Sequence, residues 1–187
     1  MKHGCVKVFA FSITVLLQYL IPAVSFAQNG RVWATYYGGA SFDYAYDVAT
    51  DDSGNVYVAG VTGSTVSIAS GGFQNTYGGT VDAYLAKFDA SGNRLWATYY
   101  GGPGADYAYG VATDKNGNVY IVGQTSSSSG IAFGGYQNTI GGSFDAYLAK
   151  FDASGNRLWA TYYGGGKISN NDDKGFSVTT DTAGNVY

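Results

Sequence analysis

The stretch that decides the fold is RVWATYYGGASFDYAYDVATDDSGNVYVAGVTGSTVSIASGGFQNTYGGTVDAYLAKFDASGN, residues 31–93. It aligns without a gap onto residues 94–156, with 44 identical residues in 63 positions. A third copy begins at Arg157 and continues to Tyr187, with four extra residues inserted within 167–174. Repetition at a fixed period of this length predicts a repeat architecture, in which each unit buries its apolar face against the next.

Each repeat contains four short runs rich in aromatic and β-branched residues, the composition of β-strands. In the first repeat these runs are DYAYDVAT, NVYVAGVT, DAYLAKF and RLWATYY, at Asp43–Thr50, 55–62, Asp82–Phe88 and Arg94–Tyr100. The chain has 17% aromatic residues, 29 Gly and 2 Pro, and only 12% of its residues are charged. This composition excludes a disordered chain and predicts an all-β fold with many turns.

Two kinds of connection join the runs. DDSGN at 51–55 and DASGN at 89–93 place an Asp that can bond its own backbone before a Gly that tolerates a left-handed conformation, which predicts tight hairpins. The other connections are a long Gly/Ser/Thr-rich loop, 63–81, and Gly-Gly segments such as 101–105. Successive connections of an up-and-down sheet lie on opposite sides, so the hairpins share one face. The long loops and Gly-Gly segments share the other, which we call the long-loop face.

Four motifs carry a family resemblance: WATYYGG, DYAY-x-VATD-x-x-GNVY, DAYLAKFDASGN and GG-aromatic-QNT-x-GG. Together they resemble the SBBP family, the seven-bladed β-propeller repeat of bacterial proteins, over essentially everything after residue 30. Repetition alone predicts a stacked array of four-stranded antiparallel sheets. The closed ring and the seven blades are what the resemblance implies.

The residues after the first 27 are expected to form an incomplete propeller, 28–187, of about two and a half blades. Complete blades are predicted at 43–100 and 106–163, and 164–187 begins a third. The segment 31–37 is predicted to be a lone fourth strand that completes the last blade of the ring. We interpret the chain as the N-terminal piece of a longer protein whose further blades pack against these. The alternative is a short chain that builds its ring from several copies.

The first 27 residues predict a secretory signal peptide. Lys2 and Lys7 precede an apolar run, and the small residues Ser25 and Ala27 predict cleavage after Ala27. We therefore expect a secreted or cell-surface protein without a stable membrane span after cleavage. The alternative is an uncleaved membrane anchor. Against it, Gln18 and Pro22 shorten the apolar part to fewer than the roughly 20 residues that a membrane span needs.

Signal cleavage would remove much of the chemistry that the chain could perform. His3 and Cys5 are the sole His and Cys, and all thirteen acidic residues are Asp. The mature chain would lack an imidazole base and a thiol nucleophile, and its net charge would change from -3 to -5, with 8 basic against 13 acidic residues. An acidic chain without a basic cluster is a poor nucleic-acid binder. We expect no cofactor, no nucleic-acid partner and no enzymatic activity.

Repeated aspartates are the remaining candidates for chemistry. Asp43, Asp106, Asp82 and Asp145 recur at strand starts, where paired carboxylates could perform acid–base or glycosidic chemistry. Because they repeat in each blade, we favour a role in capping loops and strand ends. The Asp-x-Ser-x-Asn spacing at 51–55 also starts like a calcium loop, but its Gly stands at position 4 and no bidentate acid follows. The hairpin accounts for these residues without a metal.

Candidate ligand contacts come from the long loops and from the insertion. The loops carry the aromatic residues Phe73, Tyr77 and Tyr136, and the insertion KISNNDDK at 167–174 breaks the repeat on the same face. The residues predicted to contact a ligand are Phe73, Tyr77, Tyr136, Asn170, Asn171, Asp172 and Asp173. The alternative for the insertion is a tolerated surface loop.

The sequence therefore predicts an exported binding or scaffolding module at the cell surface or outside the cell, with a glycan or protein ligand on the long-loop face. Two alternatives stay open. One is a carbohydrate-active enzyme that uses Asp residues near the propeller channel, which requires a non-repeating buried carboxylate cluster with shifted pKa values. The other is a non-binding spacer of a larger surface protein, which predicts further domains and no saturable ligand.

Overall fold

The structure is a computed structural model that describes residues 32–166 and 172–187. The predicted signal peptide, 1–27, lies outside the described residues, as do Asn170 and Asn171 from the insertion. None of the described residues belongs to a helix long and apolar enough to cross a membrane.

Eight strands form two four-stranded antiparallel sheets, so the predicted all-β blade architecture is confirmed. Blade 1 contains β1 to β4 and blade 2 contains β5 to β8, each in sequential order. The bounds in blade 1 are Asp43–Thr50, Val56–Thr62, Asp82–Phe88 and Arg94–Tyr100. Those in blade 2 are Asp106–Thr113, Val119–Thr125, Asp145–Phe151 and Arg157–Tyr163.

The tight hairpins form as predicted, and both oxygens of each aspartate accept hydrogen bonds from the turn. Asp51 Oδ1 accepts the backbone N–H groups of Ser53 and Asn55, and the Asn55 side-chain amide donates to Asp51 Oδ2 at 2.8 Å. Gly54 takes a positive φ of 79° and donates its N–H to the Asp51 carbonyl. The same bonds recur at the other hairpins, which begin at Asp89, Asp114, Asp152 and Asp181.

The sequence predicted that the long loops form a surface on the long-loop face. In the structure, part of each loop runs along β4 or β8, which we call the outer strands. The backbones of Ser70 and Ala97 exchange hydrogen bonds, and Tyr99 donates its N–H to the Gln74 carbonyl. In blade 2, Phe133 and Ala160 exchange the same pair of bonds. An edge strand exposes unpaired backbone groups, and this loop segment satisfies them, which is why it folds back instead of standing free.

β1 and β5, which we call the inner strands, contact each other directly at the blade junction. The Val111 N–H donates to Asp47 Oδ2 at 2.9 Å, and Thr113 Oγ1 donates to the Thr50 carbonyl at 2.8 Å. The third repeat continues this series, because Thr180 Oγ1 donates to the Thr113 carbonyl at 2.7 Å. The inner ends of successive repeats are thus joined by one recurring threonine bond.

A β-bulge interrupts each inner strand at the same repeat position. In β1, Ala45 pairs with Gly60 and Asp47 with Ala59, so Tyr46 is the extra residue. A Cβ added at Gly60 would lie inside the van der Waals radius of the Tyr44 carbonyl oxygen. The bulged strand therefore requires glycine at this position of β2, and Gly123 meets the same restriction in blade 2.

The main core lies between the blades. Tyr57 and Leu85 of blade 1 pack with Tyr147 and Phe151 of blade 2 in one cluster of fully buried side chains. Polar contacts also cross this junction, since Lys87 Nζ and Trp96 Nε1 donate to the carbonyl oxygen of Ala153. The two blades are held by a shared apolar interior and by bonds to a hairpin of the second blade.

The segment predicted as a lone strand, 31–37, is not a strand within its described part, 32–37. A strand is defined by a ladder of backbone hydrogen bonds, and no such ladder joins this segment to the described residues. Its side chains nevertheless lie on blade 1: Trp33 stacks on Phe88, and the Tyr37 hydroxyl donates to the Ile68 carbonyl at 2.7 Å.

The third repeat forms part of a hairpin within its described residues. Thr179 and Tyr187 exchange two backbone hydrogen bonds, and the turn between them repeats the Asp–Gly geometry at Asp181 and Gly184. Val178 packs on Tyr120 and Val122 of blade 2 in a separate buried cluster.

Candidate functional site

Phe73 and Tyr136, two residues predicted to contact a ligand, occupy the same repeat position beside the outer strands. Phe73 packs edge-on against Phe151 of blade 2, and the guanidinium of Arg157 lies 4.4 Å from the Phe73 ring centre. Tyr136 is 90% exposed. Phe73 therefore belongs to the blade junction, whereas Tyr136 presents its ring to solvent.

Tyr77, the third predicted aromatic, makes contacts within its own blade. Its hydroxyl donates to the Thr80 carbonyl at 2.6 Å, and its ring packs edge-on against Tyr99. The equivalent residue of blade 2 is Ile140, which packs against the main core. An apolar residue serves at this position, so the described contacts of Tyr77 are those of a loop anchor.

Asp173, predicted as a ligand contact, takes a position that repeats in every blade. Its Oδ2 accepts the Gly165 N–H at 3.1 Å, as Asp106 accepts from Gly102 and Asp43 from Gly39. The repeat pattern therefore resumes at the end of the insertion. Asp172 differs, because its exposed carboxylate pairs with Lys174 at 3.9 Å.

An open cleft of about 390 Å³ brings Tyr136 and Asp173 together. Its other lining residues are Gln137, Tyr163, Gly164 and Gly165. At the junction of blades 1 and 2 the residue equivalent to Tyr163 is Tyr100, which is completely buried against Tyr147. The cleft is thus part of a surface that, one repeat earlier, is covered by the following blade.

The recurrent aspartates at strand starts cap backbone groups, as the sequence favoured. Asp82 accepts the N–H groups of Gly78 and Gly79, and Asp106 accepts the Gly102 N–H and the Ser127 hydroxyl. Both side chains are fully buried, and burial raises the pKa of each carboxyl above its ordinary value. Among the described residues, no three His, Cys, Asp or Glu side chains form a group that could hold a metal ion.

A row of aromatic rings runs across the inner strands, and sequence reasoning missed it. We call these six residues the aromatic row: Phe42, Tyr44, Tyr46, Tyr107, Tyr109 and Phe176. Neighbouring ring centres lie 5.4 to 6.4 Å apart. The row crosses from blade 1 to blade 2 between Tyr46 and Tyr109, and reaches the third repeat between Tyr109 and Phe176 at 5.8 Å.

Four of the six side chains of the aromatic row are exposed although they are large, and Tyr107 and Tyr109 are partly buried. Tyr44 and Tyr46 are 55% and 47% exposed, and Phe176 is 71% exposed. Burial raises the pKa of Tyr46, and raises that of Tyr109 to about 12, so these hydroxyls are neutral at physiological pH. The row therefore presents ring edges and uncharged hydroxyl groups.

The β-bulges of the inner strands lie within the row. Strict alternation along DYAYDVAT assigns Tyr44, Tyr46 and Val48 to one face, and gives no sign that Tyr46 is an extra residue in the ladder. The bulged residues Tyr46 and Tyr109 pack on each other, and Tyr109 stacks on Phe176, the equivalent residue of the third repeat. A signal was available, since all three repeats place an aromatic residue at this position.

Comparison with known proteins agrees with this architecture. A profile of the family described as "Beta-propeller repeat" (SBBP) matches residues 32–66 and 95–130. The chain is 30% identical over 139 residues to the "Uncharacterized WD repeat-containing protein L264" of Acanthamoeba polyphaga mimivirus, covering 66% of this chain and 10% of that protein. It is 32% identical over 77 residues to the "Regulatory protein FlaEY" of Caulobacter vibrioides, covering 41% of this chain and 8% of that protein.

The chain spans a tenth or less of the length of these curated relatives. Each of the two profile matches begins one residue before a copy of the WATYYGG motif, and ends after the second strand of the following blade. Their spacing reproduces the repeat period, and the matched segments contain the inner strand of each blade. The chain therefore contains two segments, one in each complete repeat, that are similar to the β-propeller repeat of the SBBP family.

Proposed function

We propose that this protein is an exported module that binds or scaffolds other molecules at the cell surface or outside the cell, without catalysis. The observation that carries the proposal is the aromatic row, in which four of the six rings, those of Phe42, Tyr44, Tyr46 and Phe176, are exposed. An exposed contiguous apolar patch is typical of an interaction site. The β-propeller repeat family suggests a binding or scaffolding module in general.

The partner that we favour is a protein. Tyrosine and phenylalanine are enriched at protein interfaces because they supply large contact areas with few rotatable bonds. Propeller repeat proteins generally mediate protein interactions, and the mimivirus relative is named for such repeats. A glycan is the alternative ligand, since sugars also pack on aromatic rings.

Catalysis by the buried carboxylates is disfavoured by their lack of access. Asp82 and Asp106 have raised pKa values, as active-site carboxyls often do. However, both side chains are 0% exposed, and their oxygens accept hydrogen bonds from donors of the protein itself. An acid–base residue must come within hydrogen-bond distance of its substrate. This arrangement supports a structural role over the carbohydrate-active alternative.

Export rests on the predicted signal peptide, residues 1–27. The basic start, the apolar run and the small residues before position 28 are the features that signal peptidase substrates share. Secretion without cysteines in the mature chain requires that packing alone stabilises the fold, and the buried inter-blade core supplies that packing.

We further propose that the segment 31–37 is the fourth strand of another blade of the ring. Its contacts support this assignment, because Tyr37 packs on Tyr84 at 5.4 Å and on Phe88 at 5.5 Å. Tyr100 of β4 packs on the equivalent residues of blade 2, Tyr147 and Phe151, at 5.2 and 5.5 Å. The segment thus meets blade 1 as β4 meets blade 2.

The binding proposal is tested by measuring saturable binding of the purified full chain to the cell-envelope fraction of the source cells. Tyr44→Ser removes an exposed ring from the aromatic row. Tyr136→Ser removes an even more exposed ring from the long-loop face, and therefore tests that face as the alternative ligand surface. We expect Tyr44→Ser to weaken binding at least about tenfold, the loss of one good contact residue, and Tyr136→Ser to leave it unchanged.

Three outcomes separate the alternatives. No saturable binding by the unaltered chain would favour the spacer and contradict the proposal. Equal binding by all three proteins would exclude the aromatic row as the ligand surface. Where binding follows the expected pattern, protease treatment of the envelope fraction distinguishes a protein partner from a glycan, because only the protein partner is destroyed.

A further inference from the structure

Two buried carboxylates from different blades meet beside one glycine. Asp82 begins β3 of blade 1, and Asp106 begins β5 of blade 2. A Cβ added at Gly101 would lie 2.8 Å from Asp82 Oδ1 and 2.7 Å from Asp106 Oδ2. Both carboxylates are therefore next to the same point of the backbone, and water reaches neither side chain.

The donors around this pair are all neutral. Asp82 accepts the N–H groups of Gly78 and Gly79 at 2.7 and 3.1 Å, and the Gln74 side-chain amide at 3.3 Å. Asp106 accepts the Gly102 N–H at 2.9 Å and the hydroxyls of Ser127 and Thr125. Neutral dipoles stabilise a carboxylate, but they do not cancel its charge.

The titratable groups that face the pair from the surrounding elements are tyrosines. They come from the long loop, β4, β7 and β8: Tyr77, Tyr99, Tyr100, Tyr147 and Tyr162. Burial raises the pKa of every one, so all are neutral at physiological pH. The Arg157 guanidinium partly offsets the raised pKa of Tyr100, and no cation contributes to the pKa shift of either carboxyl.

Two neighbouring carboxylates that are shielded from water and lack a cation resist ionising together. We propose that Asp82 and Asp106 bind one proton between them in mildly acidic surroundings, and that this proton strengthens the junction of blades 1 and 2. The stability of the junction between the two blades therefore depends on pH. The proton is taken from the solvent, and no bond other than O–H is formed or broken.

The direction of the effect follows from linkage. Burial, with a contribution from the charge of Asp106, raises the pKa of Asp82 to about 6, whereas an unfolded Asp titrates near about 3.9. The folded state therefore binds the proton more tightly than the unfolded state. Its stabilising effect is complete below the unfolded pKa and is lost as the pH rises through about 6.

The test is urea unfolding of the full chain at about pH 5 and about pH 8. For a single group with these two pKa values, the equilibrium constant for folding should be about tenfold larger at the lower pH. In Asp82→Asn the pH dependence should disappear. Asp89→Asn is the control, because Asp89 is an exposed turn carboxylate whose pKa is lowered, and this variant should keep the tenfold difference.

A second measurement covers the case in which Asp82→Asn fails to fold. Gly78 and Gly79 donate to different oxygens of Asp82, and an amide side chain has only one oxygen. In the unaltered chain, carboxyl-carbon NMR should show an Asp signal that titrates between about pH 5 and pH 7. Titration of every Asp carboxyl below about pH 4.5 would overturn the proposal. So would folding that is equally stable at both pH values.

Discussion

The Tyr37 hydroxyl donates to the Ile68 carbonyl at 2.7 Å, and one repeat later the Tyr100 hydroxyl makes the same bond to Ile131, also at 2.7 Å. Tyr37 lies in a segment without strand pairing, whereas Tyr100 lies in β4. The side chains of the segment thus pack on blade 1 as those of β4 pack on blade 2, although the backbone of the segment is not paired with a strand among the described residues. This arrangement supports the proposal that the segment is the fourth strand of another blade.

Removing the hydroxyl at these two positions should have unequal costs. Tyr37→Phe should lower the free energy of unfolding by about 1 kcal/mol, the value of one partly exposed hydrogen bond. Tyr100→Phe should cost more, up to about 1.5 kcal/mol, because its bond lies beside a fully buried ring where the local dielectric is low, although Arg157 still donates to the Ile131 carbonyl. Urea unfolding of both variants measures the difference, and equal costs would show that the segment is buried as deeply as β4.

The glycine opposite the bulge should tolerate no side chain. Gly60→Ala would force its Cβ into the Tyr44 carbonyl, so the bulged strand must move, and we expect a loss of about 2 kcal/mol or more. Gly165→Ala is the control, since open space surrounds the added Cβ, and it should change stability by less than about 0.5 kcal/mol. Thermal unfolding compares the two, and a neutral Gly60→Ala would contradict the bulge geometry.

Lys87 should stabilise the junction of the two blades more than Lys115, a lysine on an exposed turn, stabilises the fold. It is buried, donates to the Ala153 carbonyl at 3.2 Å, lies 3.8 Å from Asp51 and sits over the Tyr57 ring. Lys87→Met should therefore cost about 1.5 to 3 kcal/mol, the range for hydrogen bonds to charged groups. Lys115→Met, on an exposed turn, should be nearly neutral in the same unfolding assay. Similar values for both would mean that Lys87 contributes only its alkyl chain.

The hairpin aspartates should make the fold sensitive to acid. Hydrogen bonds from Asn185 lower the pKa of Asp181 to about 2, and bonds from Asn93 lower that of Asp89. A depressed folded pKa contributes stability above the unfolded value, and this contribution is lost as the pH falls through the folded pKa. In Asn93→Ala, carboxyl-carbon NMR should show the pKa of Asp89 moving up toward its ordinary value. An unchanged titration would assign the shift to the turn backbone.

Strand positions were predictable because side-chain pattern and turn chemistry agree in this chain. Three of the four strands of blade 1 have the predicted bounds. The second begins at Val56 instead of Asn55, because the turn holds Asn55: its N–H donates to Asp51 Oδ1 and its carbonyl accepts from the Asp51 N–H. Local sequence decides such turns, since all the partners lie within five residues.

The candidate site was harder to predict because its geometry depends on contacts distant in sequence. The loop around Phe73 folds back and forms backbone hydrogen bonds with the outer edge of β4. The composition of the loop does not predict this pairing. The aromatic row includes the bulged residue Tyr46, and a bulge becomes visible only when Tyr46 is compared with the register of β2. Likewise, Asp82 and Asp106 meet across a blade junction that neither repeat contains by itself.

The most direct test of the exported binding module is the intact mass and N-terminal peptide of the native protein, recovered separately from the medium, the cell surface and the cell interior. We predict that the protein lies in the medium or at the surface and that its first residue is Gln28, after cleavage following Ala27. A chain that keeps Met1 and stays inside the cell would contradict export, and with it the proposed site of action.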